Sequence, residues 1–160
     1  MMGVSGSGKS TIGAAFAHAL GVEYVEGDTH HPPENVKRMA AGIPLTDADR
    51  AGWLRSLALR IRAAKQAGNG LVVACSALKR SYRDILRAEA DDVRFILLRG
   101  SKELLAQRLA ARSGHFMPAT LLDSQLATLE EPGADERAWV CDIRETPQAI
   151  VEGLLKRASA

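Results

Sequence analysis

The chain has 160 residues, enough for one domain with a sizeable core, and its 46% hydrophobic and 25% charged content is that of a soluble globular protein. A formal charge of +2, basic residues scattered along the chain and only 4% aromatics argue against a nucleic-acid-binding role. No apolar run approaches the roughly 18 residues of a membrane helix, and the N-terminus lacks a charged-then-apolar signal layout, so a cytoplasmic protein is expected.

In chain order, the first feature is Gly3-Val4-Ser5-Gly6-Ser7-Gly8-Lys9-Ser10, which fits G-x-x-x-x-G-K-[ST], a phosphate-binding loop. Gly6 and Gly8 permit backbone conformations closed to other residues, so successive N–H groups can surround a polyphosphate. Lys9 brings a mobile cation to the β- and γ-phosphates, and the Ser10 hydroxyl can ligate Mg²⁺. The spacing of Ile12, Phe16 and Leu20 predicts a helix after the loop, capped by Gly21, whose positive N-terminal end favours anions. Only Met1 and Met2 precede Gly3, where a strand of about five residues is expected. Either the first strand is truncated, which would leave a gap at the centre of the sheet, or the sheet tolerates a stub. A start site set too far downstream would account for it.

A short strand over 22–26 follows, ending at Gly27-Asp28. The next elements are a helix over 34–41 closed by Gly42, and a long helix from the Thr46 capping box to about Ala67. Leu71–Cys75 is a continuous apolar run, the form of a strand covered on both faces. A helix over 79–90, a strand over 93–98 and a helix after Ser101 come next. Residues 112–131 are less regular and contain a helix over 119–129. A last strand over 139–143 precedes a helix begun by Thr146-Pro147. Strands and helices alternate, which predicts an α/β fold: one domain over 1–160 with a parallel sheet and helices on both faces. Cys75 and Cys141 lie in predicted strands and read as two buried thiols.

Ligands of such sheets bind beyond the carboxyl ends of the strands. Asp28 is placed there to orient or deprotonate a phosphoryl acceptor, and to help hold Mg²⁺ through water, since the third strand ends without a carboxylate. His30 and His31 point oppositely on extended chain and lack a completing ligand, so a surface loop or a substrate contact is favoured over zinc. Arg50, Lys79, Arg80 and Arg83 form a positive set suited to an anionic acceptor. Arg108, Arg112, His115 and Phe116 flank the irregular segment, which suits a lid over about 112–131 with an arginine for the phosphate oxygens.

The chain resembles the phosphate-loop gluconokinases of the shikimate kinase and adenylate kinase-like group over almost its whole length. Beyond the loop, the resemblance rests on Glu26-Gly27-Asp28 with His31-Pro32, on Asn35 through Leu45, and on Asp47-Ala48-Asp49-Arg50 with Trp53-Leu54. It continues in Cys75-Ser76-Ala77-Leu78-Lys79-Arg80-Ser81-Tyr82-Arg83-Asp84, Gly114-His115-Phe116 and Leu129-Glu130-Glu131-Pro132. It implies ATP- and Mg²⁺-dependent phosphorylation of D-gluconate at O6 by a P-loop NTP-binding fold with a helical lid, often as a homodimer. Carried over, Gly3, Val4, Ser5, Gly6, Ser7, Gly8, Lys9, Ser10 and Arg108 would hold the nucleotide, with Ser10 and Asp28 on the metal. Lys9, Asp28 and Arg112 would be catalytic, and His31, Arg50, Lys79, Arg83 and His115 would meet the substrate alongside Asp28. The competing readings are a kinase for another small acid such as shikimate, and a nucleotide-dependent switch. The switch lacks a guanine-specifying Asn/Thr-Lys-x-Asp motif, and the Cys75–Lys79 and Gly114–Phe116 elements favour gluconate over shikimate.

Overall fold

Local chemistry sets the helix ends close to where the sequence puts them. Thr46 and Asp49 form a reciprocal capping box, Ser101 accepts from the Leu104 N–H, Thr146 accepts from the Ala149 N–H, and Gly21 closes the first helix in a left-handed conformation. The computed structural model describes residues 1–41, 43–111 and 119–159. Among these, the order is α1 (Lys9–Leu20), β1 (Glu23–Glu26), α2 (Pro33–Ala40), α3 (Asp47–Gln66), β2 (Leu71–Ala74), α4 (Arg80–Arg87), β3 (Ile96–Arg99), α5 (Lys102–Ala110), α6 (Ala119–Thr128), β4 (Trp139–Asp142) and α7 (Pro147–Ala158). Gly42, Arg112, Gly114, His115, Phe116 and Pro118 lie outside the described residues, and with them the centre of the expected lid.

All strand pairing is parallel. Glu23 to Glu26 of β1 lie opposite Leu71 to Ala74 of β2, and Ile96 to Arg99 of β3 lie opposite Trp139 to Asp142 of β4. The expected central gap is partly closed by Met1 and Met2. The Met1 ammonium donates to the Val73 carbonyl and the Cys75 N–H donates to the Met1 carbonyl. On the other side the Met2 N–H donates to Ile96, and the Leu98 N–H donates back to Met2. Two residues thus bridge the pairs into the order β1-β2-stub-β3-β4. Beside Met1 lies a cavity of about 330 Å³, lined by Phe16, Val22, Leu71, Val73, Phe95 and Trp139 among others. The strand expected from Val93 begins at Ile96, the first residue in register with β4.

Side-chain alternation divides the core between two faces. Met1, Val72, Ile96 and Leu98 pack with Ile12 and Phe16 of α1, Leu105 of α5 and Ile150 and Leu154 of α7. Met2, Val25, Cys75 and Leu97 pack with Trp53, Leu54 and Leu57 of α3 and Tyr82 and Leu86 of α4. Each stub residue therefore serves a different face, as a strand requires. Cys75 is buried, but Cys141 is only half-buried because β4 is an edge strand; both are free thiols.

Candidate active site

The loop leaves the stub at Gly3 and wraps toward α1. Gly6 and Gly8 take φ of 82° and 95°, in the left-handed region, and a β-carbon at Gly6 would lie 2.9 Å from Leu109 Cγ. Gly8 caps α1 without a side chain, so the first N–H groups of that helix are not satisfied by a cap. The Ser7 hydroxyl is fully buried and makes no hydrogen bond among the described residues. A cradle of permissive glycines, an uncapped helix start and an orphaned hydroxyl fit a polyphosphate. Lys9 turns back so that its Nζ donates to the Val4 carbonyl at 3.1 Å. Arg108 donates to the Ile143 carbonyl at 2.6 Å, and its NH1 would lie 3.9 Å from a β-carbon placed on Gly8. It therefore sits between the phosphate loop and the end of β4. Ser10, in the first turn of α1, is exposed.

Gly27 ends β1, where a β-carbon would come 2.4 Å from the Ala74 carbonyl oxygen. Glycine lets β1 and β2 meet there, and the next residue, Asp28, is exposed in a short 3-10 turn over Gly27–His30. His31 follows, 9% exposed, with its ring stacked 3.9 Å from Trp53. Trp53 is itself fixed by an Nε1 hydrogen bond to the Gly27 carbonyl. Burial lowers the His31 pKa, with Arg50 adding to the effect and Asp28 opposing it. The ring is therefore neutral near neutral pH, and its Nδ1 is buried without a hydrogen-bond partner among the described residues.

The basic residues that look alike in sequence are placed very differently. Arg50 is half-buried, 6.0 Å from the Tyr82 ring centroid, and within electrostatic reach of His31, Asp47 and Asp49. Among the described residues its guanidinium has no carboxylate within ion-pair distance. Lys79 is paired with the exposed Asp47 at 2.8 Å, and the Tyr82 hydroxyl donates to the same carboxylate. Those two donors hold the Asp47 carboxyl below its usual pKa, and the Asp47 carboxylate in turn raises that of Lys79. Arg83 departs from expectation. It is fully buried, and its Nε and NH2 donate to Glu136 at 2.6 and 2.9 Å. Its NH1 donates to the carbonyls of Ala77, Leu78 and Glu130. Every guanidinium nitrogen is engaged inside the protein, so Arg83 is a structural clamp and not a substrate contact. Arg80, also in the expected set, pairs with Asp135.

The carboxyl edge thus brings together the phosphate loop, Asp28, His31, Arg50 and, through Asp47 and Tyr82, Lys79. Arg112 and His115 lie outside the described residues. Sequence reasoning missed Trp53 as the support of His31, Glu136 as the partner of Arg83, and Gln125, whose Oε1 accepts the Ser5 N–H at 2.7 Å. A signal for Gln125 exists: it sits at an inward position of the α6 stripe Leu122, Leu126, Leu129, where an apolar residue is expected.

A family model described as an AAA domain matches residues 1–132. The chain is 48% identical to a gluconokinase of Gluconobacter oxydans, over all of this chain and 90% of that protein. It belongs to the gluconokinase family. Solved structures agree. A gluconokinase from Sinorhizobium meliloti is 49% identical, with a TM-score of 0.86 over 94% of this chain and 85% of that one. An unliganded sugar kinase from a Janibacter species is 50% identical, with a TM-score of 0.91 over 97% and 90%. The phosphate loop on a parallel sheet is in keeping with that membership.

Proposed function

We propose that this chain transfers the γ-phosphoryl group of ATP to O6 of D-gluconate, giving 6-phospho-D-gluconate and ADP. The observation that carries this reading is near-half identity to a gluconokinase over the full chain, with the phosphate loop and Asp28 both intact at the sheet edge. The readings as a shikimate kinase or a nucleotide switch have no comparable support.

In this reading the N–H groups of the loop and the start of α1 hold the triphosphate. Lys9 leaves the Val4 carbonyl to follow the charge that builds on the transferring group, and Arg108 steadies the nucleotide beside Gly8. Asp28 accepts the proton of the 6-hydroxyl as that oxygen bonds to the γ-phosphorus and the bond to the ADP oxygen breaks. Arg50 is the anchor of the gluconate carboxylate, since among the described residues its guanidinium has no carboxylate within ion-pair distance. Lys79 assists after exchanging Asp47 for substrate, and the neutral His31 reads a hydroxyl through Nδ1. The family resemblance assigns Arg112 a catalytic role and His115 a substrate contact. Mg²⁺ would be held by the Ser10 hydroxyl and, through water, by Asp28, where it supplies charge neutralisation for the phosphates. The described residues contain no cluster of three or more His, Cys, Asp or Glu able to hold a metal alone, which fits a cation that arrives with the nucleotide. No helix among them is long and apolar enough to cross a membrane. We place the reaction in the cytoplasm, where ATP is made available, and a homodimer is checked by light scattering.

Coupled ADP release with ATP and Mg²⁺ across gluconate, shikimate and neutral sugars tests the reading. Turnover on gluconate above the others is expected, whereas preference for shikimate would overturn it. Lys9→Ala should lose nearly all turnover. Asp28→Asn should lower kcat by about a hundredfold or more with little change in ATP affinity, in keeping with a lost general base.

A further inference from the structure

The peptide unit joining Val4 to Ser5 is held from three sides. Its carbonyl accepts the Ser7 N–H at 3.3 Å and the Lys9 ammonium at 3.1 Å. Its N–H donates to Oε1 of Gln125 at 2.7 Å, the shortest of the three bonds. A backbone N–H needs an acceptor, so the oxygen of the carboxamide, and not its nitrogen, must face Ser5. Gln125 is placed for this by α6, whose Leu122 is 2% exposed in the core beside α1 and α5, and whose Leu126 packs on the same cluster. The side chain reaches 120 residues back along the sequence to the phosphate loop.

We infer that Gln125 is a positioning residue for phosphoryl transfer, acting through the Val4–Ser5 peptide on Lys9. A peptide plane has one orientation for both of its polar atoms. Fixing the N–H from α6 therefore fixes the carbonyl on which the Lys9 ammonium rests. With the acceptor gone, the plane is free to tilt, the Lys9 resting place is lost, and the loop must be ordered again each time nucleotide binds. The inference rests on the reading of this loop as the ATP site, and it leaves the acid-binding residues untouched.

Two substitutions separate this role from mere packing. Gln125→Met keeps the length and apolar contacts of the side chain and removes the acceptor. Gln125→Glu keeps an acceptor for the Ser5 N–H. Loss of one hydrogen bond at a partly buried site corresponds to about a fivefold effect. Gln125→Met is expected to lower kcat/KM for ATP by about that factor, and to weaken calorimetric binding of the non-hydrolysable analogue AMPPNP similarly, while KM for gluconate stays the same. Gln125→Glu should recover most of the loss. The inference is overturned if the two variants behave alike, if KM for gluconate moves as much as that for ATP, or if melting temperature falls while kinetics and AMPPNP binding hold. The AMPPNP arm reads the loop without any acceptor. A protein that bound AMPPNP as expected but ignored gluconate would refute the acceptor assignment and leave the role of Gln125 standing.

Discussion

Lys79 and Arg83 lie four residues apart around the start of α4, and both meet a carboxylate, yet their surroundings give them opposite roles. Lys79 pairs with Asp47 at the surface, where that carboxylate is 64% exposed. Arg83 pairs with Glu136 where the two side chains are 0% and 1% exposed. A surface pair is screened and exchanges freely with water or with an incoming anion. A buried pair cannot be opened without leaving a charge in the interior. Solvent access, more than residue type, separates a cation that can greet a substrate from one that fastens the fold. What Arg83 fastens is functional all the same. It holds the carbonyls of Ala77, which sits at a φ of 46°, and of Leu78, within the loop that leads to Lys79; Ser76, in the same loop, accepts the Gly3 N–H.

The sharpest way to break the contrast is to remove the buried cation. Arg83→Met strands Glu136 and should cost about 3–5 kcal/mol of stability, read as a fall in denaturation midpoint. Arg83→Met with Glu136→Met should recover much of it, because no charge is then left behind. A variant as stable as the parent would show that the clamp is not a clamp. Lys79→Met should leave the midpoint where it is and raise KM for gluconate about ten- to hundredfold, as for a lost charged hydrogen bond, with KM for ATP unchanged.

Acid offers a gentler separation. The Arg83 guanidinium holds the Glu136 carboxyl below its ordinary value of 4.5. A depressed folded pKa contributes stability above the ordinary value, and that contribution fades as pH falls through the folded one. The stability gap between the parent protein and Glu136→Gln should therefore be full at neutral pH and shrink as pH drops below about 4.5. A gap that widened in acid would contradict the pairing. Smallest of all is Asp47→Asn. Freeing Lys79 from its surface partner should lower KM for gluconate by about fivefold at most, and the change should fade with added salt.

The phosphate loop was legible because its chemistry is contiguous, with Gly3 to Ser10 carrying their own geometry, and Asp28 because it directly follows a strand end. Helix starts were legible at Thr46, Ser101 and Thr146 for the same local reason. Arg83 was misjudged because its partner lies 53 residues further on, and pairing at that range is set by tertiary packing. Lys79 has a comparable long-range partner in Asp47, but the exposure that keeps it available has no sequence signature either.

The most direct measurement compares kcat/KM for D-gluconate with that for D-glucitol, which carries a hydroxymethyl group in place of the carboxylate. It would be made side by side on the parent protein, Arg50→Met and Lys79→Met. The expected result is strong preference for the acid in the parent and collapse of that preference in both variants, most completely in Arg50→Met. Preference for gluconate that survived both substitutions would place the carboxylate elsewhere and contradict the division between exchangeable and locked cations.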